Sequence, residues 1–257
     1  MKPETRKFEI KYLRTRNAIE RKGIRMVYAS LSAQYNDFLD RIKTLPVEMW
    51  DNAANAISEQ PIKHFFNQFY PMSATLAQMT RKQMLQKKDA EDDLYLSVFE
   101  RQMQYLASQS GEKITTITAT SKERILAVIR EVISEGNENG YGIDKLRDNL
   151  FSEVGKNLRG NGRARAKAIA QTEMISASNQ ASTYAAESTG LEYRKFWSTS
   201  HLQGIRPTHI MAEQDSIQRG GLKPNELFAN GLKYPGDPSG PAEEVINCRC
   251  CILHEIV

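Results

Sequence analysis

Apolar side chains return at three- and four-residue intervals from about Glu4 to Leu45, through Phe8, Leu13, Met26, Val27, Leu31, Tyr35, Phe38, Leu39 and Ile42. That period predicts one long amphipathic helix, or two if Gly23 interrupts it. Pro46 and Pro61 bracket a short helix over "VEMWDNAANAISEQ", because proline suits a first turn and breaks an interior. A further helix is expected from Ile62, bent at Pro71, and another through "MTRKQMLQKKDAEDDLYLSVFERQMQYLASQSG" to Gly111. None of this alternates with strand period.

The pattern changes at "GEKITTITATSKERI". The β-branched run Ile114 to Thr118 predicts a short extended segment, and Thr120 with Glu123 reads as a capping box opening a helix that carries Ile125, Val128, Ile129 and Val132 to Gly136. A turn at "NENGYG", a helix over "IDKLRDNLFSEV" and a basic glycine loop "GKNLRGNG" follow. "RARAKAIAQTEMISASNQASTYAAES" then has no glycine or proline and predicts one long helix stopping at Gly190. "LEYRKFWSTS" alternates as a strand, and "VINCRCCILHEIV" reads as a closing strand. Between them, "GGLKPNELFANGLKYPGDPSGPAEE" holds most of the Gly-Pro turn chemistry and predicts an ordered loop region. The expected fold is therefore α+β: a mostly helical, partner-docking region over 1–115, then a compact domain over 116–257 in which helices pack on a small, mainly antiparallel sheet.

Composition narrows the function. The 257 residues are 26 % charged, and the mean hydropathy is −0.54. No apolar run is long enough to span a bilayer, and the charged start "MKPETRKFEIKYLRTRN" lacks the apolar core of an export signal, so a reducing, cytoplasmic setting without membrane contact is expected. The net charge of +4 permits nucleic-acid contact without requiring it. Its distribution is uneven. Between Lys2 and Arg25 nine bases face Glu4, Glu9 and Glu20, and a second stretch carries Lys156, Arg159, Arg163, Arg165 and Lys167, the candidates for non-specific contact with double-stranded DNA.

All three cysteines lie within four residues, at 248, 250 and 251. An odd count in a reducing setting rules out a disulfide framework. A strand puts Cys248, Cys250 and His254 on one face and Cys251 on the other, and His209 could complete a Cys2His2 set for structural zinc. Three readings stay open: buried thiols that only pack, with no cofactor; a zinc site; and a nucleophilic Cys248 whose pKa falls beside Arg249. Trp197 reads as a core aromatic and His209 as a hydrogen-bonded core histidine. Asn247 is expected to cap the strand entry with its side chain and tie down the "PGDP" loop.

Five pieces in order carry a resemblance: "RARAKAIAQTE" (163–173), Trp197, "RPTH" (206–209), "YPGDPSGPAEE" (234–244) and "NCRC" (247–250). Over roughly residues 121–252 the chain resembles the Mu-F-like family of phage head morphogenesis proteins, also called minor capsid or minor head proteins. The resemblance marks Trp197, Arg206, His209, Asn247, Cys248, Arg249 and Cys250 as family-motif positions of structural importance. It implies a non-enzymatic virion protein inside the head near the portal, assembled in the host cytoplasm, with the portal protein and a major capsid or scaffold protein as partners and packaged DNA nearby. The family commonly places an Asp and an Arg shortly before the RxxH element, where this chain has Leu202 and Gly204. Some relatives are placed among ADP-ribosyltransferase-like folds, so Gln171 to Glu173 has the Q-x-E form of such sites; its helical context points to a packing or surface carboxylate instead. A phage-delivered transferase or nuclease and a transient scaffold protein are the competing readings.

Overall fold

A computed structural model describes residues 2–85, 93–199 and 203–257. The helices are α1 (Pro3–Ile42), α2 (Trp50–Asn55), α3 (Gln60–Phe69), α4 (Ala74–Leu85), α5 (Asp93–Asn139), α6 (Ile143–Asn157), α7 (Arg163–Glu187), α8 (Pro207–Gln218) and α9 (Ala242–Val245). The strands β1 (Tyr193–Ser198) and β2 (Cys251–Ile256) pair antiparallel, with Tyr193 opposite Ile256 and Ser198 opposite Cys251. The fold is mostly helical α+β with a small antiparallel sheet.

Helix α1 is unbroken at Gly23. A Cβ there would stand 2.2 Å from the Phe69 ring, so the glycine makes room for an aromatic neighbour and does not end the helix. The buried stripe of α1 runs Thr5, Glu9, Tyr12, Arg16, Glu20, Gly23, Val27, Leu31, Tyr35, Phe38 and Ile42. Its second half is apolar, as the period predicted. Its first half is largely polar, and the half-buried Phe8 and Leu13 lie off the stripe.

The helix expected to stop at Gly111 and the extended segment expected at Ile114–Thr118 are both absent, because α5 runs through them to Asn139. Ile114, Thr118, Ser121 and Ile125 recur every three or four residues and are all buried, so the helical period outweighs the β-branched composition. Thr120 caps nothing; its hydroxyl donates to Thr116 O one turn back. The expected loop "GKNLRGNG" is a π-helical turn over Leu158–Gly162 that joins α6 to α7. The part of the expected helix at 86–92 lies outside the described residues.

Packing groups Met1–Gly23, Gln68–Tyr105 and Ala168–Val257 into one unit and Ile24–Asn67 with Leu106–Lys167 into another, so the expected division at 115/116 is not the one the contacts make. The second unit buries Tyr35, Phe38, Ile42, Trp50, Ile125, Ile129, Val132, Leu150 and Val154 together. At its polar centre Gln34 donates to Ser58 O and Thr118 Oγ1 and accepts from Ser121 Oγ.

In the first unit α4 and α8 pack on the sheet. Helix α7 is buried on nearly all sides from Ala170 to Ala186. Small side chains allow that approach: Ala181 and Ala185 meet Ala77, and Ser182 Oγ lies 2.9 Å from Tyr12 Oη and accepts from Thr80 Oγ1. The main core of this unit joins Ile175, Trp197, Ala212, Leu222, Phe228, Leu232, Tyr234, Cys248, Cys250 and Ile252.

Candidate functional site

Proline suits the first helical position, so "RPTH" opens α8 with Arg206 as its extended N-terminal flank. That helix start seats His209 on the first turn, 2 % exposed. Strand β1 brings Trp197 against it, ring centroids 5.0 Å apart and planes at 61°. The closing strand is shorter than expected and begins only at Cys251, because α9 ends at Val245 and Asn247 turns the chain with φ of 57°. Cys248 and Cys250 therefore sit on a turn ahead of the strand. His209 Nδ1 lies 3.4 Å from Cys250 Sγ and 3.8 Å from Cys248 Sγ, and the three donor atoms all fall within 4.8 Å of one another.

The other imidazole nitrogen, Nε2, lies 3.0 Å from Glu244 Oε2. Thr208 Oγ1 donates to both oxygens of that carboxylate at 2.9 and 3.1 Å. The remaining ring nitrogen, Nδ1, faces the two thiols. A hydrogen bond from Cys250, supported by His209, holds the Cys248 thiol well below its usual range against the effect of burial. Cys248, with burial, pushes the Cys250 thiol up. Cys251 is buried outside this cluster.

Two residues that sequence reasoning missed set the turn. Asn179 of α7, fully buried, donates to Pro235 O at 2.8 Å and to Cys250 O at 3.3 Å, and accepts from Ile252 N at 3.1 Å. Arg16 of α1, 1 % exposed, donates to Cys250 O at 3.0 Å and Arg249 O at 2.9 Å. A signal for Arg16 was available: it stands where the stripe of α1 calls for a buried side chain. Asn247 works through its backbone, donating to Thr172 Oγ1 and accepting from Gln171 Nε2, both at 3.1 Å, so the loop-tying task expected of it falls to Asn179. Asp237 organises the "PGDP" turn by accepting from Lys233 N and Ser239 N, each at 3.0 Å. Arg206 Nη2 donates to Ile246 O at 2.6 Å, and Arg249 stands 3.8 Å from Glu20.

His254 does not join the thiols. It lies on β2 opposite Lys195, its ring edge-on to Tyr193 at 5.4 Å, and burial with the Lys195 charge lowers its pKa to about 3. A strand that starts at Cys251 removes the alternation that aligned it with Cys248 and Cys250. Glu173 is 7 % exposed and accepts a hydrogen bond from Tyr70 Oη at 2.5 Å, which makes it a buried packing carboxylate.

Of the basic candidates, Lys156, Arg159, Arg163 and Lys167 are exposed and spaced along one face of the continuous α6–α7 helix. Lys156 also pairs with Glu153 at 2.5 Å, and Arg163 lies over the Tyr28 ring. Arg165 differs. It is half-buried and donates to Ser121 Oγ and Ile117 O, so it is committed to the fold and not to phosphate. Large apolar side chains are exposed at Ile10 of α1 and at Ile210, Met211 and Ile217 of α8. No described helix is long and apolar enough to cross a membrane. Gly204 takes a positive φ of 74°, and Leu202 lies outside the described residues.

Comparisons with protein-family models, with curated proteins and with solved structures found no match to this chain.

Proposed function

We propose that the chain is a phage minor head protein, non-enzymatic, that associates with the portal vertex and head interior during assembly. One observation carries this reading: residues of the five sequence pieces that suggest it, from Gln171 to Cys250, lie in or against a single buried cluster. Gln171 and Thr172 bind the Asn247 backbone, Asn179 binds Pro235, and Trp197, His209, Cys248 and Cys250 share one core. Pieces related only by chance would have no reason to converge. The exposed apolar positions Ile10, Ile210, Met211 and Ile217 offer contacts to portal, major capsid or scaffold protein, and the face bearing Lys156, Arg159, Arg163 and Lys167 offers sequence-independent contact to packaged DNA. The burial of Glu173 against Tyr70 gives a transferase reading no foothold at the Q-x-E element.

The test is quantitative mass spectrometry of purified, DNA-filled particles, comparing this chain with the portal protein. A small fixed ratio to portal is expected. Presence in assembly intermediates with absence from finished heads would favour a scaffold, and absence from both would overturn the virion reading.

A further inference from the structure

Nδ1 of His209 and the sulfurs of Cys248 and Cys250 are contributed by two segments about forty residues apart, and burial leaves them facing one another. Tetrahedral zinc has metal–sulfur bonds of about 2.3 Å and metal–nitrogen bonds of about 2.0–2.1 Å, which separates nitrogen from sulfur by about 3.5 Å. The two nitrogen–sulfur distances here are 3.4 and 3.8 Å. Both nitrogen–sulfur spacings are therefore close to those an ion would impose, and the two sulfurs lie within 4.8 Å of each other.

Three further features agree. Glu244 Oε2 stands 3.0 Å from the far nitrogen of His209, where a carboxylate partners the outer nitrogen of a metal-ligating histidine. Two thiolates neutralise a divalent ion, as a site walled by Trp197 and Phe228 requires. Finally, a cavity of about 70 Å³ borders His209 and Cys250, with Thr199, Arg206, Asn247 and Arg249 around it. That is room for a water or two, not for a large ligand.

We propose that His209, Cys248 and Cys250 bind zinc, with the fourth position open to this cavity and taken by water. Binding makes both sulfurs thiolates, and whatever protons the two thiols carry pass to solvent. The ion would tie the start of α8 to the turn before β2. This inference stands on the donor geometry and is independent of the virion reading.

The full-length chain, without a histidine tag, is purified under reducing conditions and its zinc measured by elemental mass spectrometry. One zinc per chain is expected after dialysis against metal-free buffer. Replacing it with cobalt should give sulfur-to-cobalt charge transfer and the strong visible bands of a tetrahedral site. Cys248→Ser, Cys250→Ser and His209→Ala should lose the ion, while Cys251→Ser, equally buried but outside the cluster, should keep it. Glu244→Ala should weaken cobalt affinity by roughly ten- to a hundredfold. A metal-free wild-type chain that takes up no cobalt would overturn the proposal, as would a Cys248–Cys250 disulfide in that chain, seen as a mass lower by two hydrogens. Equal loss of metal from Cys251→Ser and Cys250→Ser would do the same.

Discussion

Replacing Asn179 by alanine removes one side chain and three hydrogen bonds, to Pro235 O, Cys250 O and Ile252 N. Cys250 O keeps its bond from Arg16, so its loss is partial. Pro235 O and Ile252 N–H lose the partner that Asn179 supplies in a fully buried place, and each such group costs about 1–3 kcal/mol. The expected loss is about 3 to 4 kcal/mol, a large share of the roughly 5–15 kcal/mol that holds a domain folded. The two tryptophans make the assay local, since Trp197 lies in the unit with Asn179 and Trp50 in the other. A urea series followed by their indole N–H resonances should move the Trp197 transition down and leave the Trp50 transition less affected. Hydrogen exchange at Ile252 sharpens the test: Asn179→Ala should lose protection there, whereas Asn179→Asp keeps the acceptor for Ile252 while opposing the two carbonyls. A Trp197 midpoint lowered by less than about 0.5 kcal/mol, with Ile252 still protected, would refute Asn179 as the tie between loop, turn and strand.

Gly236 has φ of 77°, and a Cβ there would meet Ile175 Cγ2 at 2.9 Å and Ser176 N at 3.1 Å, so Gly236→Ala should cost about 2 kcal/mol or more by the same urea assay. His254 titrates near 3 in the fold against about 6.5 unfolded, so the folded state binds fewer protons across that window. Stability should therefore fall as pH drops through it, by up to about 1.4 kcal/mol per unit, and His254→Leu should flatten that slope in urea titrations between pH 7 and 4.5. For DNA, alanine at Lys156, Arg159, Arg163 and Lys167 together should reduce the slope of log affinity against log salt by about 3 to 4, as read by fluorescence anisotropy, while Arg165→Ala should leave the slope unchanged.

Helical period was legible wherever burial followed it, as along Val27 to Ile42 and Ile125 to Val132. It was overlooked where composition argued against it. Ile114–Thr118 has β-branched residues, yet its buried positions recur with helical spacing. The glycines at 160 and 162 suggested a loop, but a π turn absorbs them without ending the helix. At the site, residue types were legible and their arrangement only in part. His209 with Cys248 and Cys250 followed from the motifs, but grouping His254 with them assumed a strand three residues longer than β2. Asn179 and Arg16 act by bonding to distant backbone carbonyls, and a hydrogen bond to a carbonyl leaves no mark on the residue that owns it.

The polar half of the α1 stripe has a consequence for a chain made from its N-terminus onward. Residues 1–23 emerge before residues 24–167, but their unit is completed only by residues 168–257. Val27, Leu31, Tyr35, Phe38 and Ile42 belong to the unit completed by residues 106–167, so their apolar surface is covered sooner. Exposed apolar surface on an unfinished chain invites aggregation. Glu9, Arg16 and Glu20 are solvated while they wait, and Arg16 exchanges water for the carbonyls of Arg249 and Cys250 only once the last residues arrive. The segment separated in synthesis from the residues that complete its unit is thus one whose contact face tolerates water.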